Sequence, residues 1–298
     1  MMFLKSIVTI FDRLEALSEG QKTWRIVASG LVLIFLATLG VIELNRHGLL
    51  PGSITSWIPQ NHFYAVHLAF TLLLLIEIIG LVFALSHSVS DSVGKQFEIF
   101  SLILLRNAFK QFVYFDEPIQ WLQISEPIYH ILSDAAGAIL IFFGLGLYYR
   151  LQKHNPITSD AQEQGQFIAA KKLLALLLLV VFAATGIYYN IHYILTGQEF
   201  NFFGTFYTIL IFADILLVLI SIRYCTTYQV VFRNSGFAVI TVVIRLALVA
   251  PPYYSIALGI CAMLFALGLT MSYNSFTYGL QLHSGKPIHH GMKSKDNN

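Results

Sequence analysis

Apolar residues run through this chain in long unbroken blocks, and polar residues collect in short stretches between them. Six blocks, near residues 26–44, 62–85, 127–149, 173–195, 204–222 and 256–275, are each long enough for a helix that crosses a bilayer. Two further blocks are interrupted. Residues 96–115 contain Glu98, Arg106 and Lys110, and residues 236–250 are short, contain Arg245 and stop at Pro251-Pro252. Ahead of the first block, Phe3, Leu4, Ile7, Val8, Phe11, Leu14 and Leu17 recur at helical spacing among Lys5, Asp12, Arg13, Glu15 and Glu19. That period predicts a short amphipathic helix, either lying on the membrane surface or docked on the protein itself.

Loop charge decides whether the two interrupted blocks cross. If both do, Lys5, Arg13, Lys22, Arg25, Lys95, Arg150, Lys153, Lys171, Lys172, Arg223, Arg233 and the lysines of the tail share one side. The other side then holds only Arg46, beside an acidic loop with Asp116, Glu117 and Glu126. If neither crosses, the cations scatter over both sides. The excess of Lys and Arg on cytoplasmic loops selects the first arrangement, with both termini cytoplasmic. The expected fold is therefore an all-α integral membrane protein with about eight transmembrane helices.

Composition agrees. Of the 298 residues, 56% are hydrophobic and 11% charged, against about 25% charged in a soluble domain. The expected partner of most of the surface is the lipid bilayer, and a net charge of +2 gives no reason to invoke nucleic acid. The two cysteines, Cys225 and Cys261, form no CxxC pair. No phosphate loop, zinc-protease or hydrolase motif is present, and the connections leave no room for an enzyme domain.

The order of features suggests two parallel four-helix repeats. Phe35–Thr38 matches Phe182–Thr185 in Phe-x-Ala-Thr, and Glu77-Ile78 matches Asp214-Ile215. Arg106 and Arg245 each follow a hydroxyl and a run of aliphatics, and Phe143–Leu147 matches Phe265–Leu269. An even number of spans per repeat gives the halves the same orientation. The expected organisation is an N-terminal helix over 1–25, a first half over 26–149, a linker over 150–172, a second half over 173–275 and a tail over 276–298.

Each half then has one acid and one arginine near mid-depth. A lone charge there costs about 2.5–3.5 kcal/mol on the insertion scale, so partners are expected. Consecutive spans are usually neighbours, which pairs Glu77 with Arg106 and Asp214 with Arg245, and leaves Lys110 one turn beyond Arg106 as an extra cation. Such pairs serve either as structural locks or as a site for a small ion or solute.

The histidines offer other chemistry. His67 and His130 fall near the outer ends of their spans and could ligate a b-type haem if the helices meet. His130 and Asp134, at i and i+4, could hold a divalent metal. Interfacial, hydrogen-bonded histidines are the ordinary alternative. His87-Ser-Val-Ser-Asp91 and His130-Ile-Leu-Ser-Asp134 superficially resemble the His-x-x-x-Asp motifs of cation diffusion facilitators. The two motifs fall at opposite membrane edges and cannot share one ion, so that family is not adopted. The leading expectation is a transporter or channel-like protein, ahead of a haem-binding redox subunit and a non-catalytic subunit of a larger complex.

Overall fold

In a bilayer core a backbone must satisfy its own hydrogen bonds, and a chain this apolar does so with helices. The structure, a computed structural model, describes residues 2–55, 58–86, 89–121, 124–152, 161–197, 201–224 and 228–284. Trp57, His87, Cys225 and the tail from residue 285 lie outside the described residues. Among those described there is no strand. The helices are α1 (Met2–Glu19), α2 (Gln21–Arg46), α3 (Gly52–Thr55), α4 (Phe63–Ala84), α5 (Val89–Lys110), α6 (Ser125–Leu151), α7 (Ala161–Thr196), α8 (Phe202–Tyr224), α9 (Tyr228–Val249) and α10 (Tyr254–Ser284). A 3-10 turn, Gln111–Tyr114, extends α5.

Seven of these helices are long and apolar enough to cross a membrane: α2, α4, α6, α7, α8, α9 and α10. The chain is thus a multi-pass, all-α protein of membrane type. α9 begins at Tyr228 rather than near residue 236, which makes it a full-length span. α5 is not among the seven, because it carries Asp91, Lys95, Glu98, Arg106 and Lys110.

Packing places α5 beside the others nonetheless. Phe109 stacks on Phe70, and Ile99 lies over Gly80, so α5 runs antiparallel to α4 over most of its length. Tyr148 donates to the Ser90 carbonyl and Tyr149 to Glu98 Oε1, which makes α5 antiparallel to α6 as well. A helix held lengthwise between two spans shares their depth, which brings the count of crossings near eight.

Two ends of the bundle can be named by what they hold. At one end, Asp12 of α1 takes a charge-assisted hydrogen bond from Lys172 at 2.5 Å, and Phe11 is fully buried edge-on to Phe83. α1 is therefore docked on the protein, while Ile10 and Leu17 on its other face stay exposed. At the opposite end, Glu117 gathers Arg46 and His62. We call these the α1 face and the Glu117 face.

The packing order is the same in both halves: α2 on α4, α4 on α5 and α5 on α6, then α7 on α8, α8 on α9 and α9 on α10. The halves meet where α5 packs on α9 and α6 on α10. Gly137 and Gly144 of α6 admit Ile256 and Met263 of α10, and Gly259 of α10 admits Phe100 and Ile141. A Cβ at any of these three glycines would collide with its neighbour, so close helix approach is what they provide. This seam is one apolar core, with Phe97, Phe100, Ile141, Tyr148, Ile240 and Ile244 at its centre. A second core joins α1, α4, α7 and α8 around Phe11, Ile78, Leu178, Phe206 and Leu210. α2 is peripheral, burying only Ile42 and Asn45, and ends in a left-handed Gly48 with φ +68°.

Candidate functional site

Both acid–arginine pairs form. Arg106 Nη1 meets Glu77 Oε1 across α4 and α5, and Arg245 Nε lies 3.4 Å from Asp214 Oδ2 across α8 and α9. The second pair is the deeper one: its side chains are 0% and 3% exposed, whereas Arg106 keeps 16%. Thr241 places its hydroxyl beside the Asp214 carboxylate. Both terminal nitrogens of Arg245 are buried without a hydrogen-bond partner. Lys110 sits one turn past Arg106, near enough to His67 for the charge to be felt there.

The two pairs differ in surroundings. Asp214 lines a cavity of about 50 Å³ bounded by α5, α7, α8 and α9 and by Leu85 after α4. Its walls are helix faces at i, i+3, i+4 and i+7 spacing: Asp214, Leu217, Val218 and Ser221 from α8, and Asn234, Phe237, Ala238 and Thr241 from α9. α5 adds Ser92 and Gln96, α7 adds Phe167 and Lys171, and Leu85 closes the turn after α4. Seven residues separate Asp214 from Ser221 and Asn234 from Thr241, so the cavity spans about 10 Å along the bundle. Ser221 and Asn234 mark the end toward the α1 face, and Asp214 with Thr241 the inner end. Glu77 lines none of the cavities described here.

The lining is largely apolar, but it includes several deeply buried polar groups. Gln96 is 0% exposed, and its Nε2 donates to Ser92 Oγ at 3.3 Å while its Oε1 has no partner. Asn234 is 3% exposed, and neither end of its amide has a partner. Lys171 is 4% exposed, with its ammonium 5.1 Å from the Phe167 ring centre and within electrostatic reach of Asp91. Asp91 itself accepts from Gln152 Nε2 at 2.5 Å. Arg233, next to Asn234, lies over the Tyr273 ring at 4.8 Å.

Sequence reasoning misses Gln96, Asn234 and Lys171. Lys171 and Arg233 look like loop cations when spans are bounded by hydropathy, but α7 begins at Ala161 and α9 at Tyr228, which draws both into helices. The expected linker 150–172 is accordingly helical from residue 161. The available signal was the spacing of Asn234 and Thr241, seven residues apart on one helical face.

The histidines occupy separate neighbourhoods. His67 packs against Tyr64 on α4, while His130 stacks on Tyr253 at 4.9 Å, and α5 lies between α4 and α6. Asp134 is buried one turn from His130, whose Nδ1 is a buried atom without a partner. Among the described residues no group of three or more His, Cys, Asp or Glu side chains converges as a metal site would require.

The Glu117 face holds a fourth polar cluster. Glu117 accepts from Arg46 at 2.9 Å and from the His62 backbone N–H at 2.9 Å, with the His62 ring at 3.0 Å. His62 also reaches Glu43 of α2 at 2.9 Å. Partial burial pushes the Glu117 carboxyl up, but the His62 hydrogen bonds and the His62 and Arg46 charges outweigh it and hold it below the ordinary glutamate value. This cluster ties α2 to α4 and to the loop after α5.

Comparison with protein-family models, curated proteins and solved structures finds no match to this chain, so its chemistry rests on the geometry described above.

Proposed function

We propose that this chain is a transporter or channel-like protein for a small ion or solute, with its acid–arginine pairs at the layer where passage is controlled. The observation that carries the reading is the cavity at Asp214. A carboxylate at the inner end of a buried, largely apolar space, with Gln96, Asn234 and Thr241 also on its walls, is an arrangement that suits an intramembrane ion site. A purely structural pair needs no such space beside it, and Glu77 and Arg106 are not among the residues lining the Asp214 cavity. The pairs therefore divide the work: Glu77–Arg106 fixes the α4–α5 register, and Asp214–Arg245 opens or closes the path.

The same reading includes a duplication. Matching packing order, matching acid–arginine pairs, and the parallel contacts of α5 with α9 and α6 with α10 support two repeats related by an axis along the membrane normal. It also places both termini in the cytoplasm, since the α1 face collects the Lys and Arg of the connections.

The test is flux in vesicles reconstituted with the full chain, screening protons and monovalent ions. Asp214→Asn and Thr241→Val are expected to lower flux tenfold or more while membrane insertion is retained. Glu77→Gln combined with Arg106→Gln is expected to keep flux within about threefold. Flux that is absent from the wild-type protein for every ion, or unmoved by Asp214→Asn, would rule the reading out.

A further inference from the structure

The size and lining of the Asp214 cavity narrow the class of ion. A water needs about 10–15 Å³ of such space, so about 50 Å³ holds a short file of some three to five waters. A hydrated metal ion or an organic solute does not fit. Buried polar atoms do not stay unpaired at no cost, and Gln96 Oε1, Asn234 Oδ1 and Asn234 Nδ2 have no hydrogen-bond partner in the protein. Water in such a file would supply partners for all of them, between Asn234 near the α1 face and Asp214 inside.

Beyond Asp214 and Thr241, toward the Glu117 face, the neighbouring side chains Phe206, Leu210, Ile244 and Ala247 are apolar and each 0% exposed. Toward the α1 face the walls end in Ser221, Asn234, Ser92 and Lys171.

We propose that this cavity is a one-sided, water-filled proton path joining the α1 face to Asp214. The proposal rests on the transport reading and names its ion as the proton. A proton arriving at the α1 face is passed along the O–H···O chain, each water accepting one proton and donating another, and forms an O–H bond on Asp214 Oδ2. The carboxylate charge is thereby neutralised and Arg245 loses its counter-ion. Release reverses each transfer. The charged and titratable groups facing Asp214 are few. Arg245 comes from α9, Lys171 with Asp91 behind it from α7 and α5, and Tyr207 from α8 itself, while Gln96, Ser92, Asn234 and Thr241 are uncharged. Arg245 is the counter-charge that a proton displaces, and Lys171 lies at the α1-face end of the lining, within electrostatic reach of Asp91.

Infrared spectroscopy of the full chain in lipid nanodiscs tests this without a flux measurement. The wild-type protein is expected to show a protonated-carboxyl C=O band that grows on acidification and shifts in D2O. Asp214→Asn should remove that component, whereas Glu77→Gln should leave it. Asn234→Leu, which breaks the file with an apolar group, should slow the D2O shift at least tenfold. A titrating band that Asp214→Asn leaves intact, or an exchange rate that Asn234→Leu does not change, overturns the proposal.

Ser221→Cys, nearly isosteric, guards against a variant that fails to fold. In a background with Cys225→Ser and Cys261→Ser, silver ion added to sealed vesicles should react from the α1 face only. Reaction from the Glu117 face, or from neither, refutes the one-sided path. If the infrared and silver results hold while vesicles carry no ion, the proton path stands and the transport reading falls.

Discussion

Replacing Asp214 by Leu leaves Arg245 with no counter-charge in a place where it is 0% exposed and both terminal nitrogens already lack partners. At 3.4 Å and an effective dielectric of about 20, the lost attraction is about 5 kcal/mol. Removing one member of a buried pair generally costs about 3–5 kcal/mol, and a guanidinium cannot relieve the cost by shedding its proton. Asp214→Leu is therefore expected to destabilise by about 4 kcal/mol. Arg245→Met should cost less, toward about 3 kcal/mol, because the carboxyl left behind can take up a proton. The double variant, with both charges gone and volume roughly kept, should lie within about 1 kcal/mol of the wild type. Reversible unfolding in mixed detergent micelles, followed by circular dichroism, measures all three. Costs of the single changes that simply add in the double variant would refute the reasoning, since they would show that the two groups do not stabilise one another.

Three other outcomes follow from the same structure. Gly259→Ala is expected to destabilise by about 1–3 kcal/mol, because its methyl would meet the buried Phe100 and Ile141, whereas Gly146→Ala and Gly268→Ala, with open space around them, should be neutral or slightly stabilising; the same unfolding assay compares them. Phe11→Ala should cost about 3 kcal/mol and free α1 from Phe83 and Lys172, which limited proteolysis near residue 19 would detect. The Glu117 carboxyl, held below its ordinary value, contributes stability that is fully present above the unfolded-state glutamate value and lost as pH falls through the lower folded value. Hydrogen-exchange protection at the end of α2, relative to the intrinsic rate at each pH, should accordingly fall in acid, and Glu117→Gln should make it low and independent of pH in that window, for a loss of about 1 kcal/mol or less in a partly exposed cluster.

Most of the fold is legible in the sequence because lipid imposes a one-letter rule on it: apolar for the length of a span. That rule finds six helices directly. It fails for α5, whose five charged residues hide a helix, and for α9, whose first turns contain Arg233 and Asn234. Both were recovered from loop charge, a signal about which side a segment ends on rather than about its own composition. The pairs Glu77–Arg106 and Asp214–Arg245 were legible for a related reason, since a charge at mid-depth demands a partner and the adjacent span supplies one. The cavity was not legible. It depends on how α5, α7, α8 and α9 meet around Gln96 and Asn234, and no spacing along one chain segment encodes that gap.

The burial of α5 among α4, α6 and α9 bears on how the protein is made. A segment with Asp91, Lys95, Glu98, Arg106 and Lys110 has no reason to leave the insertion machinery for lipid on its own. Its Glu77 partner is already made when Arg106 emerges, but its α6 neighbours, Tyr148 and Tyr149, are still to be translated, and α9 follows about a hundred residues later. Early in synthesis α5 therefore depends on α4 as an escort. The expected order of insertion follows from that dependence: α4 and α5 entering as one hairpin, with α6 closing over it afterwards.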